Sequence, residues 1–318
     1  MDKLLAKLIA PVAVSGREQA VAGIIAELAA PYGELARDRM GNLVVHKPGY
    51  GRRIMVAAHM DSIGVMVSYI DDKGFARFVS LGGMELISMV GQRVRFENGV
   101  IGVICAERGV EPKDLKPENL YIDTAGEQVA IGDTAAYCGQ PVFMGSRVIS
   151  PYLDNRLGCA VALRALELLR ETDNELFFVF TVQEEVGCRG ARPAAFVIQP
   201  DLAIAVDICG VSDTPGQTKP NSLTLTGGPV VKLKDANLIA SPEAAELLEQ
   251  VGRDLCIPTQ RLVTKAGGTD AGAIINTRGG VCTGSLAIPI RYTHSPNELA
   301  DLVVAENCAR LLAEAVCR

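Results

Sequence analysis

Polar side chains that could bind metal ions or transfer protons follow four apolar runs of the sequence. The runs cover residues 54–58, 176–182, 202–206 and 286–290, and the polar residues just beyond them are His59, Asp61, Glu184, Glu185, Asp207 and His294. Each run is apolar without alternation, which predicts a strand that is covered on both faces. Because sites in open α/β sheets form at the carboxyl ends of strands, these positions are candidates for chemistry.

The first run ends in a histidine followed two residues later by an aspartate. Residues two apart in an extended segment point the same way, so Asp61 can reach one ring nitrogen of His59. Most metal-bound histidines have such a carboxylate on the nitrogen that does not face the metal. A core histidine paired with a neighbouring aspartate would show the same pattern.

The second run ends in two adjacent glutamates, Glu184 and Glu185. Neighbouring side chains of a regular strand face opposite sides, so both can serve one site only if the strand stops there. Gly187 is consistent with such a stop. One carboxylate would then suit a metal ligand and the other a general base, whereas a solvated loop pair is the alternative.

Two aspartates have a simpler explanation as helix caps. Asp207 ends a predicted strand, and Asp154 precedes a helix predicted over residues 157–169. His294 follows the fourth run, so two of the three histidines in the chain lie just beyond predicted strands.

Taken together, these positions provide two histidines and several carboxylates without a cysteine. Nitrogen and oxygen ligands suit Zn²⁺, Co²⁺ or Mn²⁺, and one carboxylate can bridge two ions. The pattern favours a two-metal hydrolase.

The elements that would position these residues fall into two kinds. Strands alternate with helices, including one over 157–169 and one over 242–255 after an N-cap at Ser241, which indicates an α/β domain. An amphipathic first helix is predicted within residues 4–14.

The segment 65–147 differs, because short β-like runs are broken there by turn signals such as Asn98-Gly99. We therefore expect a discontinuous catalytic α/β domain, residues 1–64 and 148–318, with a small β-barrel domain, residues 65–147, inserted into it.

Composition narrows the possible partners and the compartment. Of the 318 residues, 48% are hydrophobic, and the net charge is −6. This argues against disorder, and neither a nucleic-acid nor a membrane partner is expected. Nine cysteines without a C-x-x-C pair are typical of a cytoplasmic protein with reduced thiols.

With these residues in place, the chain resembles the M42 metallo-aminopeptidases, the glutamyl aminopeptidase and tetrahedral aminopeptidase group. The matching segments occur in the family's order over nearly the whole chain, at residues 58–64, 153–160, 182–187, 205–207, 267–272 and 290–296.

The resemblance implies two divalent metal ions per subunit, Zn²⁺ or Co²⁺, with Mn²⁺ also possible. Its implied ligands are His59, Asp207 and the bridging Asp154 for one ion, and Asp154, Glu185 and His294 for the other. It also implies a cis peptide bond between Asp154 and Asn155.

The resemblance further implies that Glu184 is the general base and that Asp61 orients His59. The pocket-lining loop would include Gly268, Thr269 and Asp270. The implied fold is a mixed-sheet zinc-peptidase domain with a PDZ-like inserted domain that mediates dimerisation. Homodimers, and a tetrahedral homododecamer built from them, would act on short peptides.

Aminopeptidase activity on short peptides is therefore the leading hypothesis. The alternatives are a metal-dependent deacylase of another small amide and a catalytically silent assembly protein of the same fold. The sequence does not give the preferred N-terminal residue. A glutamyl enzyme would need a cationic pocket, and the candidate cations are Arg93, Lys234, Lys265 and Arg291.

Overall fold

A computed structural model describes residues 1–216 and 223–318. Within them the helices are α1 (Asp2–Ile9), α2 (Gln19–Ala29), α3 (Leu86–Met89), α4 (Leu153–Leu168), α5 (Ala191–Ile198), α6 (Pro242–Asp254), α7 (Asp270–Ile274) and α8 (Leu302–Ala315). Short 3₁₀ helices cover Pro112–Asp114 and Pro117–Asn119.

The strands of the described residues form one large mixed sheet and one closed barrel. The sheet contains β1 (Glu34–Arg37), β2 (Leu43–Lys47), β3 (Arg53–His59), β10 (Val142–Met144), β11 (Arg147–Ser150), β12 (Glu175–Thr181), β13 (Leu202–Gly210), β14 (Val230–Lys234), β15 (Gln260–Val263), β16 (Cys282–Arg291) and β17 (Glu298–Asp301). The barrel contains β4 (Gly64–Ile70), β5 (Ala76–Leu81), β6 (Arg93–Phe96), β7 (Ile101–Ala106), β8 (Leu120–Asp123) and β9 (Thr134–Tyr137).

The four predicted strands lie side by side at the centre of the sheet, in the order β12, β3, β13, β16, and all are parallel. Only Val182 of the predicted runs falls outside, one residue beyond β12. The parallel register places Thr181 opposite His59. The carboxyl ends of β12 and β3 therefore meet at one edge, where the polar residues follow.

Both faces of the central strands are buried, as the unbroken apolar runs predicted. Ile54 and Val56 of β3 belong to the main core, whereas Met55 and Ala57 pack in a second core with α5 and α7. Successive residues of a strand point to opposite faces, so an apolar residue is needed at every position.

The flanks of the sheet are antiparallel. β2 runs antiparallel to β12, and β17 runs antiparallel to both β16 and β11. These antiparallel pairs make the sheet mixed, in agreement with the expected mixed α/β fold.

Helix ends differ in detail from the sequence expectations. α4 begins at Leu153, before the predicted start at residue 157, and α1 ends at Ile9, so residues 10–14 of the predicted first helix lie beyond it. Ser241 is the N-cap residue of α6, as expected, but its hydroxyl makes no capping hydrogen bond and instead accepts one from the Thr283 N–H.

The barrel closes in the order β4, β5, β8, β7, β6, β9, and its first and last strands pair, with Val65 opposite Ala135. The Asn98-Gly99 turn joins β6 to β7, as predicted. Strand β10 lies within the segment 65–147 but pairs with β11 in the large sheet. The closed barrel thus occupies residues 64–137.

No helix in the described part of the chain is both long enough and apolar enough to cross a lipid bilayer.

Candidate active site

The carboxyl ends of the central strands bring the candidate ligands together. His59 is the last residue of β3, Asp207 lies within β13, and Asp154 is in the first turn of α4. Glu185 follows β12, and His294 follows β16. They form two groups with ligand atoms within 4.8 Å of one another: His59, Asp154 and Asp207, and Asp154, Glu185 and His294.

Asp154 is the residue that the two groups share. Its Oδ1 lies 3.2 Å from His59 Nε2, and its Oδ2 lies 3.2 Å from His294 Nε2. Asp207 Oδ1 is 3.6 Å from His59 Nε2, and Glu185 Oε2 is 3.3 Å from His294 Nε2. Each oxygen of Asp154 thus faces a different histidine, which is the arrangement that a bridging carboxylate requires.

The donor set fits a pair of divalent cations. Imidazole nitrogens and carboxylate oxygens are ligands for Zn²⁺, Co²⁺ and Mn²⁺. Among the described residues, the buried atoms Asp154 Oδ1 and Glu185 Oε1 have no properly aligned hydrogen-bond partner. Buried polar atoms normally have partners, so these oxygens are suited to ligation.

Charge interactions between these residues shift their pKa values. Burial lowers the pKa of His59, but the neighbouring carboxylates of Asp154 and Asp207 outweigh it and raise this pKa well above its usual value. Burial favours a higher pKa for Asp154, but His294 and His59 outweigh it and hold the pKa far below its usual range. A positive charge beside Asp154 therefore keeps its carboxylate ionised.

Asp61 lies behind this cluster and is fully buried. His59 Nδ1 is 3.4 Å from Asp61 Oδ1 and 3.2 Å from the Asp61 carbonyl oxygen, so the aspartate is placed to orient the imidazole. Its two carboxylate oxygens also accept the backbone N–H groups of Glu184 and Glu185, at 3.0 and 3.2 Å. The Ser15 hydroxyl donates to Oδ2 at 2.7 Å.

The turn after β12 explains how adjacent glutamates reach one site. The strand stops at Thr181, and Gln183 has a φ of 57°, in the left-handed region. Glu18 Oε1 accepts a hydrogen bond from the Gln183 N–H at 3.1 Å, which stabilises the turn. With regular strand geometry interrupted, Glu184 and Glu185 both face the cluster.

Glu184 lies at the edge of the His59 group. Its Oε2 is 3.9 Å from His59 Nε2, and its side chain lines the cavity. Burial raises the pKa of Glu184 well above its usual value; His59 lowers it, and the carboxylates of Asp207 and Asp270 raise it further. The Cys188 thiol donates a hydrogen bond to Glu184 Oε1 at 3.2 Å.

Glu298 is a buried residue of the site that the sequence did not reveal. Its Oε2 accepts the backbone N–H of Asp154 at 3.0 Å, and its Oε1 accepts that of His294 at 2.8 Å. The residue is 1% exposed. One carboxylate thus fixes the backbone of two candidate ligands. The only sequence signal for Glu298 is its position four residues after His294.

The Gly82-Gly83 turn of the barrel segment covers the second group. A Cβ at Gly82 would stand 3.2 Å from Glu185 Oε2, and one at Gly83 would stand 3.2 Å from His294 Nδ1. Burial lowers the pKa of His294, but Asp154 and a hydrogen bond to the Gly83 backbone outweigh this effect and raise it. The inserted segment therefore contributes directly to the surroundings of this group.

A cavity of about 540 Å³ opens onto both groups. Gly268 lines it, whereas Thr269 and Asp270 do not and are buried behind the wall, at 1% and 2% exposure. Asp270 instead accepts a hydrogen bond from the Thr181 hydroxyl. Burial raises the pKa of Asp270 to about 7.

Lys232 is the cation that reaches this cavity. Among the described lining residues it is the only lysine or arginine; Arg93, Lys234, Lys265 and Arg291 do not line the cavity. Its Nζ lies 3.6 Å from Asp235 Oδ2. The sequence did not single out Lys232, because the register shift that separates it from Lys234 within β14 is not visible in the sequence.

The peptide bond between Asp154 and Asn155 is cis, in agreement with the resemblance. The Asn155 amide donates to the Val206 carbonyl at 2.9 Å, which anchors the start of α4 beside β13. Arg156 is fully buried and donates to the carbonyls of Leu8 and Ala13, at 3.0 and 2.8 Å.

Comparison with known proteins gives consistent results. The family model described as M42 glutamyl aminopeptidase matches residues 41–311. A relative from Acetivibrio thermocellus, provisionally named an aminopeptidase, is 47% identical, with 100% of this chain and 98% of the relative covered.

Solved structures are similar over the same length. An aminopeptidase from the archaeon Desulfurococcus kamchatkensis has a TM-score of 0.95 at 35% identity, covering 99% of this chain and 94% of that one. A Pyrococcus horikoshii TET1 peptidase, which can assemble into a tetrahedron or a large octahedral shell, has a TM-score of 0.88 at 28% identity, covering 99% and 98%.

Proposed function

The chain belongs to the M42 family of glutamyl aminopeptidases, and we propose that it removes N-terminal residues from short peptides with the help of two divalent cations. One observation carries the proposal. The two oxygens of Asp154 each face the Nε2 of a different histidine, at 3.2 Å, with Glu184 at the edge of the same cavity.

In this proposal Asp154 serves both cations. His59 and Asp207 would complete one set of ligands, and Glu185 and His294 the other. When bound, a pair of cations would polarise the scissile carbonyl and lower the pKa of a water between them. Zn²⁺ and Co²⁺ suit these ligands best, and Mn²⁺ accepts them as well.

Glu184 is the proposed general base and later the general acid. Its carboxylate lines the cavity and contacts no arginine or lysine among the described residues, so it is free to exchange protons. It would accept a proton from the attacking water and then donate it to the leaving amine. Asp61 would keep the Glu184 backbone and the His59 ring in place for this transfer.

The substrate is tested with metal-stripped protein reloaded with Zn²⁺, Co²⁺ or Mn²⁺ and given a panel of aminoacyl-p-nitroanilides. We expect metal-dependent cleavage of substrates with a free amine and none of their N-acetylated forms. Cleavage of the blocked substrates alone would favour the deacylase instead. If folded protein cleaves none of the substrates with any of the three metals, the result would favour the catalytically silent assembly protein.

The role of Glu184 is tested by Glu184→Gln. This variant should bind both cations with unchanged stoichiometry, measured by elemental analysis, while kcat falls by about 10²- to 10⁴-fold, the usual contribution of a general base. Glu167→Gln, half exposed on α4, is the matched control and should keep full activity. Near-normal turnover in Glu184→Gln would contradict the mechanism.

A further inference from the structure

A third group of ligating side chains lies around Glu184. Glu184, Cys188 and Asp270 each offer one ligand atom, and these atoms lie within 4.8 Å of one another. Asp154, which both groups described above share, is not among them. The third group shares no residue with those two, and its Glu184 lies 3.9 Å from His59 of the first.

Asp270 provides an independent observation that points to a ligand. The residue is 2% exposed, and its Oδ2 accepts a hydrogen bond from the Thr181 hydroxyl. Its Oδ1 is also buried and has no hydrogen-bond partner among the residues that the structure describes. Buried carboxylate oxygens are rarely left without a partner, and a bound cation would supply one.

Cys188 is held against Glu184 by the backbone as well as by its thiol. The Cys188 N–H donates to the Glu184 carbonyl at 2.9 Å, and the Cys188 Sγ lies 3.2 Å from Glu184 Oε1. Both residues line the cavity, so an ion can reach them from the substrate side.

The donor set selects the class of ion. A thiolate with two carboxylates suits Zn²⁺ and other ions that accept sulfur, whereas Mn²⁺ and Mg²⁺ disfavour sulfur ligands. We propose that Glu184, Cys188 and Asp270 form a third, inhibitory site for a sulfur-accepting divalent cation such as Zn²⁺.

Binding at this site would release the thiol proton to solvent and leave the sulfur bound as thiolate. The inhibitory effect rests on the proposed function, because a cation on Glu184 would prevent that carboxylate from accepting a proton from water. Occupation of the site does not depend on the proposed function and can be measured without a substrate.

Occupation is tested with Co²⁺, whose bond to a thiolate gives a charge-transfer band in the near ultraviolet. Protein already loaded with two equivalents of Co²⁺ is titrated further, and we expect the band to appear only in this second stage. Cys188→Ser should abolish the band, and Cys256→Ser, at an exposed cysteine, should retain it. Added Zn²⁺ should displace Co²⁺ from the site and remove the band, whereas added Mn²⁺ should leave the band unchanged.

Inhibition is tested by assaying peptide cleavage as Zn²⁺ rises above two equivalents. Turnover of the wild type should fall at least about tenfold. Cys188→Ser should need about 10- to 100-fold more Zn²⁺ for the same loss of turnover, because losing even a hydrogen-bond partner of a metal ligand weakens metal binding by about that factor. Circular dichroism checks that the variant folds; if it does not, Asp270→Asn should show the same loss of the band.

The outcomes separate the two proposals. No charge-transfer band in the wild type, or a band that persists in Cys188→Ser, would overturn the third site. A Cys188-dependent band without any loss of turnover would overturn its inhibitory role. A Cys188-dependent band in a protein that cleaves no peptide with any metal would leave the site in place and count against the proposed function.

Discussion

Glu298 shows how much of the site depends on residues that touch no substrate. Its carboxylate accepts one hydrogen bond from the backbone of Asp154 and one from that of His294. Asp154 and His294 lie far apart in sequence, and Glu298 fixes the distance between their backbones. It thus connects the candidate ligand that both groups share with a candidate ligand of the second group.

We expect Glu298→Gln to weaken cation binding by about 10- to 100-fold, the usual effect of losing a partner behind a metal ligand. Glutamine keeps one oxygen, so one of the two N–H groups would face an amide N–H₂ instead. Isothermal titration of the metal-free protein measures the change. Glu306→Gln, at a half-buried ion pair on α8, is the control, and wild-type affinity in Glu298→Gln would contradict the assigned role.

The position of Lys232 in the cavity leads to a prediction about substrate preference. It lines the cavity, and its ion pair with Asp235 is long, at 3.6 Å, so its ammonium group can also bind an acidic side chain of a substrate. Lys232→Met keeps most of the volume and removes the charge. The ratio of kcat/KM for glutamyl over leucyl substrates should fall about tenfold or more, as expected for a hydrogen bond to a charged group.

The matched control for Lys232 is Lys265→Met, at a lysine outside the cavity lining, which should leave the ratio unchanged. An unchanged ratio in Lys232→Met would show that the ammonium does not contact the substrate side chain.

His59 and Asp207 could be singled out as candidates because each directly follows a buried apolar run of the sequence. Their assignment as metal ligands, and that of Glu185, comes from the resemblance to the family. Glu298 and Lys232 could not be named, because their importance depends on which backbone or cavity the fold brings beside them. The placement of Asp270 behind the cavity wall depends on packing in the same way.

At the scale of elements, the Gly82-Gly83 turn is where the barrel segment meets the site. Both glycines lack the Cβ that would press on Glu185 or His294. The turn thus provides a close-fitting cover over one of the two ligand groups, whereas His59 is enclosed by the large sheet and is 2% exposed.

Gly83→Ala should therefore affect one cation more than the other. The added Cβ would stand 3.2 Å from His294 Nδ1, so the ring must move. We expect one of the two equivalents to bind about tenfold more weakly, a change of roughly 1.4 kcal/mol. Titration with Co²⁺ resolves the two equivalents.

Gly279→Ala is the control for this prediction, because a Cβ there meets nothing within 4 Å among the described residues. Two equivalents that bind to Gly83→Ala as tightly as to the wild type would show that the turn can yield without disturbing His294.

The central strands were predictable because burial on both faces demands an apolar residue at every position, as in β3 and β13. The flanking strands were not, because they are short and partly exposed: β1 is exposed throughout, and β10 has only three residues. The left-handed backbone at Gln183, which turns both glutamates to one side, also left no sign in the sequence.

At the scale of the whole molecule, we propose that residues 1–64 and 148–318 form the catalytic unit and that the inserted segment mediates self-association. The structurally similar Pyrococcus horikoshii peptidase can assemble into a tetrahedron or a large octahedral shell. The barrel of this chain exposes apolar side chains such as Tyr69 and Val79, each 52% accessible in the single chain.

We expect the protein to sediment as a dimer or a larger assembly at micromolar concentration, because exposed apolar area of this kind favours association. Sedimentation velocity measures the mass directly. Val79→Glu should shift the distribution toward smaller species, while Val263→Glu, at an exposed valine of the large sheet, should not. A monomer at all concentrations would contradict the proposed role of the inserted segment.

The pairing of the first and last barrel strands has a consequence for how the chain folds. Asp154 follows His59 by 95 residues, so bringing them together directly means closing a long loop. Once Val65 pairs with Ala135, the loop between His59 and Asp154 is effectively only about 25 residues long, and the entropic cost of closing it falls by roughly 1 kcal/mol. If the barrel folds first, the chain therefore re-enters the large sheet close to the point where it left, and His59 and Asp154 meet at a lower entropic cost.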